Sequence, residues 1–270
     1  MKKTVFLTTT AVLASLMASS VALAAQYPAK QGDPDGSTAQ TKATVTFVAP
    51  KENPDKPVAP GTDPDNPNPV TPNQPDNPGN TSKADLKLVW APDLDFGSKN
   101  EIKSMTQVLD AKKIPMSDTN YGPAYVQVSD EGGKAEGWNV TVKQDDEFKT
   151  SDNDVLTGAF LTFANPAVSM STTKGGNAKF DGVKGYGITK LLTTGDSLVM
   201  DAAKGTMPGN YFATFNGKDD STMKDDVPTY DGVKLTVPGG SALAKQYNTT
   251  LTWTLNNVPA TQTPATPAAK

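Results

Sequence analysis

Between Lys83 and Pro259 short apolar alternations recur between turns rich in Gly, Asn and Asp. They fall at Leu86–Trp90, Tyr125–Ser129, Gly137–Val142, Ala159–Phe163, Val168–Ser171, Ser197–Asp201, Tyr211–Phe215, Val233–Val237 and Tyr247–Leu255. Their period is two rather than 3.6, which predicts half-buried strands. The stretch Glu101–Lys112 suits either a short helix or a strand. Many short strands with no alternating long helices predict an all-β fold, an Ig-like β-sandwich-type domain of short antiparallel strands. No tandem repeat at a fixed period is visible.

Upstream of residue 83 the pattern changes. Residues 50–82 are rich in Pro, Asp and Asn, with ten prolines from Pro50 to Pro78 and Val58 and Val70 as the only large aliphatics. Pro fixes φ and disfavours helix at the preceding residue, so this stretch is expected to be a semi-rigid, polyproline-like linker. Before it, Thr44–Val48 (Thr-Val-Thr-Phe-Val) has the β-branched and aromatic content of a strand. An isolated strand is unstable in water, so this one is expected to add to an edge of the main domain. The first residues carry Lys2 and Lys3, an apolar run from Val5 to Met17 and the small-x-small triplet Ala22-Leu23-Ala24. That is the pattern of a secretory signal peptide, residues 1–25, cut after Ala24 or Ala25. The run is too short to cross ~30 Å of hydrocarbon, so no membrane insertion is expected once it is removed. The expected organisation is thus a signal peptide, an N-terminal segment 26–49 with a short strand, a linker 50–82, a domain 83–259 and a flexible tail 260–270.

Composition narrows the chemistry. The chain has no Cys and no His, which excludes thiolate nucleophiles, disulfides, the usual N/S zinc sites and imidazole-based triads. All 25 basic residues are Lys, leaving no bidentate forks for phosphate or guanine, and no nucleic-acid partner is expected. Removing Lys2 and Lys3 takes the formal charge from −4 to −6, so bulk charge will not hold the protein to polyanions. No Cys follows the signal, and the tail shows neither an LPxTG-type sorting motif nor an apolar stop-transfer stretch. Retention at a cell surface is therefore expected to be non-covalent.

Acidic pairs occur at Asp145-Asp146, Asp152 with Asp154, Asp219-Asp220 and Asp225-Asp226. Such pairs supply Ca²⁺ ligands or glycosidase carboxylates in some proteins, but no EF-hand loop is present and adjacent carboxylates on a strand or turn diverge. Solvated turn acids are the plainer reading, with no metal and no cofactor. With no His in the chain, no Ser has an imidazole base to activate it as a nucleophile. The glycine-rich stretches at Gly175-Gly176 and Gly182–Gly187 lack a phosphate-loop pattern and read as turns. The protein is expected not to be an enzyme.

The most specific sequence lies near the C-terminus: Tyr247-Asn-Thr-Thr-Leu251-Thr252-Trp253-Thr254-Leu255-Asn-Asn-Val-Pro259. It resembles the distal signature YxxxLTWxLxxxP of the WxL domain, a cell-wall attachment module of Gram-positive bacteria, at every specified position. Trp138-Asn139-Val140 is similar to the family's proximal Trp-x-Leu motif, with Val140 where Leu is usual. Leu94-Asp95-Phe96-Gly97 resembles the entry to the domain, whereas the turn Asp130–Gly133 lacks the Arg-Gly-Thr often found there. The resemblance spans about residues 26–259. It implies a secreted surface protein held non-covalently on peptidoglycan or another wall polymer, often alongside other wall-associated or membrane-anchored surface proteins. The alternative is a subunit of a surface complex attached through a protein partner, by β-augmentation or domain contacts.

Strand parity qualifies this implication. Leu251, Trp253 and Leu255 share one face of their strand and Thr250, Thr252 and Thr254 the other; Trp138, Val140 and Val142 likewise oppose Asn139 and Thr141. A large aromatic between aliphatics at period two is more often sandwich core than stacking platform. On that reading the Trp motifs are a fold signature and the ligand meets the Thr and Asn faces or the loops. On the other, one indole lies at a groove edge and stacks on a glycan ring. Tyr247 falls on the Trp253 face by parity, its ring expected to cover the core edge with the hydroxyl hydrogen-bonded.

Overall fold

A computed structural model describes residues 43–51, 55–63, 66–171 and 182–260. The expected signal peptide, residues 1–25, and the expected tail from residue 261 lie outside them. In chain order the strands are β1 (Leu86–Trp90), β2 (Gln107–Lys112), β3 (Ile114–Pro115), β4 (Tyr121–Gly122), β5 (Tyr125–Asp130), β6 (Trp138–Gln144), β7 (Phe160–Phe163), β8 (Ala167–Met170), β9 (Val183–Gly185), β10 (Ser197–Ala202), β11 (Gly209–Thr214), β12 (Asp219–Lys224), β13 (Val227–Val237) and β14 (Leu251–Asn256). No helix occurs among the described residues, and Glu101–Lys112 resolves as β2 with an irregular lead-in.

Every pairing between these strands is antiparallel. One sheet runs β1-β5-β11-β8 and a second β14-β6-β10-β9. A third has the order β12-β13-β2, with β7 also on β13. The β3–β4 pair is separate. The first two sheets meet through alternate side chains, the Trp138 indole of β6 lying 5.7 Å from the Tyr211 ring of β11. The third is tied in where Ala124 N–H donates to the Tyr230 hydroxyl at 2.9 Å, a bond sealed in the core. The expected sandwich is therefore present, extended by a third sheet. β3, β4, β9 and β12 were not legible in the alternation because the first three have only two or three residues and β12 is polar.

β5 is buried along its whole length, on both faces. Val126 and Val128 alternate with Tyr125, Gln127 and Ser129, and Val128 pairs with the core-facing Tyr211. The opposite face carries an aromatic row, with Trp90 to Tyr125 at 4.5 Å and Tyr125 to Phe212 at 6.1 Å.

Described residues of the proline-rich stretch make hydrogen bonds along this second face and to neighbouring strands. The Asp55 carboxylate accepts from Ser129 Oγ and from Asn210 Nδ2, and Val58 N–H donates to Gln127 Oε1 at 3.0 Å. Asn73 N–H reaches the Pro115 carbonyl and Asn80 N–H the Val89 carbonyl, both at 2.8 Å. Val58 and Val70 pack on the core. At Gly79 the left-handed φ of +79° and a Val89 oxygen 2.8 Å from where a Cβ would stand leave room only for glycine. The amides of this stretch bond the neighbouring strands and also carbonyls of the stretch itself, Ala59 N–H donating to the Val70 carbonyl at 2.8 Å.

The chain divides into two units, Met1–Phe47 and Val48–Lys270. The strand expected at Thr44–Val48 does not form. Residues 43–50 have no regular secondary structure and are exposed.

Candidate functional site

The two tryptophan motifs, more than a hundred residues apart in sequence, lie on adjacent strands. β14 pairs antiparallel with β6 so that Trp253 opposes Val142, Thr254 opposes Thr141 and Leu255 opposes Val140. Alternation then separates the faces. Trp138, Val140 and Val142 are fully buried, and Leu251, Trp253 and Leu255 are half-buried against the same core. The Trp253 ring stands edge-on to Phe163 at 6.1 Å and tilted to Phe215 at 6.5 Å. Both indoles thus face inward.

Tyr247 precedes β14 and lies half-buried at the core edge, its hydroxyl accepting the Leu243 amide at 2.9 Å. At the other end of the motif the chain folds over the start of β6. Asn139 Nδ2 donates to the Val258 carbonyl at 2.7 Å and Asn256 Nδ2 to Asn139 Oδ1 at 3.0 Å. The Ala260 amide donates to Asp201 Oδ1 at 2.6 Å. Pro259 lies over Gly137, whose φ is +82° and whose missing Cβ would stand 2.6 Å from both the Pro259 ring and the Ala202 carbonyl. Gly137 and Pro259 are therefore two halves of one contact. Sequence reasoning missed Asn139, Asn256, Asp201 and Gly137 as parts of this clasp; the only sign was the Asn256-Asn257 pair inside the motif.

The outward face is hydroxyl-rich. Thr250, Thr252 and Thr254 are exposed on β14 and its lead-in, beside Lys143 of β6. Thr252 Oγ1 donates to Asp145 Oδ2 at 2.8 Å, and Lys143 stands 3.8 Å from the same carboxylate. Thr141 on this face keeps its hydroxyl oxygen enclosed with no protein partner.

One or both members of each acidic pair bind a lysine. Lys245 bridges Asp152 at 2.9 Å and Asp154 at 2.6 Å, Lys149 binds Asp146, and Lys113 binds Asp219. Lys112 and Ser98 together hold the Asp225 carboxyl well below the usual range. A shallow groove of about 260 Å³ runs between Asn73–Asp76 and the Lys112–Pro115 stretch, lined also by Asp93 and Asp95. Its Lys112 is already shared by Asp95 and Asp225 at 2.7 Å each. No group of acidic side chains able to hold a metal occurs among the described residues.

Comparison with protein families gives one match, to the WxL domain described as surface cell wall-binding, over residues 34–259. Comparisons with curated proteins and with solved structures give no match. The match takes in both tryptophan strands, the clasp that joins them and the proline-rich segment bound to β5, and the chain belongs to the WxL family of surface, cell-wall-binding domains.

Proposed function

We propose that this protein is a secreted, non-enzymatic surface protein held on peptidoglycan without a covalent bond, through the outward Thr face of β14 and its neighbours on β6. The observation that carries this reading is the division of faces on β14: its indole and leucines are turned to the core while Thr252 and Thr254 are exposed. The family supplies wall binding, and a flat row of hydroxyls beside an ammonium and a carboxylate suits the hydroxyls and amides of a glycan strand with its stem peptides. On this reading the WxL signature builds the platform, and its tryptophans act through the fold. The lysines of the groove at Asn73–Pro115 are engaged internally, which favours the Thr face over the groove.

The test is co-sedimentation of purified protein with walls stripped of their own proteins. Thr252→Glu/Thr254→Glu, which leaves the inner face untouched, is expected to stay folded by circular dichroism and to lose retention. Full retention by that folded variant refutes the assignment of the face. Failure of the wild-type protein to sediment transfers attachment to a protein partner.

A further inference from the structure

Thr44–Val48 is apolar and in the open. Val45, Phe47 and Val48 are 73%, 88% and 86% exposed, and among the described residues the segment pairs with no strand. Five residues of strand-forming sequence held in water constitute an unused strand. Their pattern repeats that of β14: Thr44-Val45-Thr46-Phe47 alternates hydroxyl and apolar side chains as Thr250-Leu251-Thr252-Trp253 does. A strand with that alternation extends the β14 sheet without a break in either face, its threonines outward and Val45 and Phe47 inward.

β14 also ends its sheet with little protection. Natural edge strands are blunted by charge, bulges, shortness or cover. β8 and β9 have four and three residues, and β12 carries charges and a bulge. The β1 edge receives the Asn80 amide on its Val89 carbonyl. β14 has six residues, no charge, no proline and no register shift against β6. Its apolar side chains Leu251, Trp253 and Leu255 remain only half-buried, so a further strand would complete their cover.

We infer that Thr44–Val48 of one molecule adds as a strand to the open edge of β14 in a second copy of this chain, linking molecules head to tail. Asp55 is fastened to Ser129 and Asn210, and the six residues between Val48 and Asp55 allow a reach of about 23 Å. Each molecule then carries one donor strand and one acceptor edge, a heterologous contact that gives rings or open chains rather than a closed two-fold dimer. This contact uses the edge and inner face of β14, not the Thr face assigned to the polymer.

The chain has no cysteine, so introduced thiols report cleanly. Thr46→Cys and Thr254→Cys molecules are mixed and treated with a short bis-maleimide linker, with Asp118→Cys, in the turn between β3 and β4, as an exposed control outside the β14 sheet. A covalent heterodimer from the first mixture, absent when Asp118→Cys replaces Thr254→Cys, is expected. The Thr46→Cys/Thr254→Cys double variant is expected to yield a ladder of multimers. Sedimentation velocity should show mass rising with concentration for the wild-type protein and a monomer for Val45→Asp/Phe47→Asp, whose changes lie outside the sheets. A double variant that links only within single molecules overturns the inference, as does a wild-type protein that stays monomeric with no heterodimer formed.

Discussion

At the residue scale, the two tryptophans of the signature differ in burial, and their substitution should differ accordingly. Trp138 is sealed against Tyr211, so Trp138→Ala is expected to cost about 3–5 kcal/mol, a large share of the stability of a typical domain. Trp253 is half-buried on an edge strand, and Trp253→Phe should keep the fold with a smaller loss. Urea unfolding of both variants checks this; equal losses would contradict the packing described. Asp130 and Glu131 give a pH signature. Burial raises both carboxyls above their ordinary range, with Asp85 adding at Asp130 and Asp55 at Glu131. The Trp138 indole N–H eases the Asp130 shift from nearby, yet it reaches hydrogen-bonding geometry with no protein acceptor. A carboxyl with a raised folded-state pKa binds its proton more tightly in the folded state. Its contribution is present below the unfolded value and is lost as pH rises through the folded one. The stability of Asp130→Asn relative to the wild-type protein should therefore rise across and above the ordinary carboxylate range. A pH-independent difference between the two would contradict a raised pKa.

At the scale of elements, the strands with clear alternation were legible, and so was the inward turn of both indoles, because burial on one face imposes a period of two. The hydrogen bonds that hold the proline-rich segment were not legible, because polar contacts leave no periodic signal in a stretch of low apolar content. Val58, Val70 and a set of polar contacts are enough when the receiving sheet offers Gln127 and Ser129 on an otherwise apolar face. The Asn139–Asn256 clasp was hidden for a similar reason, since amide side chains show no periodic signal. Thr44–Val48 has strand propensity without a partner strand among the described residues, which propensity cannot report. Two outcomes follow. Amide exchange at Val58, Ala59, Asn73 and Asn80, each donating in the structure, should be slow, where a free spacer would exchange at once. Asp55→Ala strips the acceptor from Ser129 and Asn210 and should cost roughly 1–3 kcal/mol, measured by denaturant unfolding.

For the whole molecule, the proposed reading predicts attachment through contacts other than net charge. An acidic protein without Arg meets an anionic wall, and Lys112, Lys113, Lys149 and Lys245 are engaged by its own carboxylates. Retention on isolated walls is therefore expected to change little as salt rises across roughly 0.1–1 M, where exposed charge pairs are screened. Steep release over that range would mean that charge carries the binding. The measurement that bears most directly on the account is co-sedimentation with protein-free walls of the wild-type protein, Trp253→Phe and Thr252→Glu/Thr254→Glu, each shown to be folded. Retention by the first two and loss by the third is the predicted result. Loss by a folded Trp253→Phe with retention by the threonine variant would contradict it, placing the indole rather than the hydroxyl face against the wall.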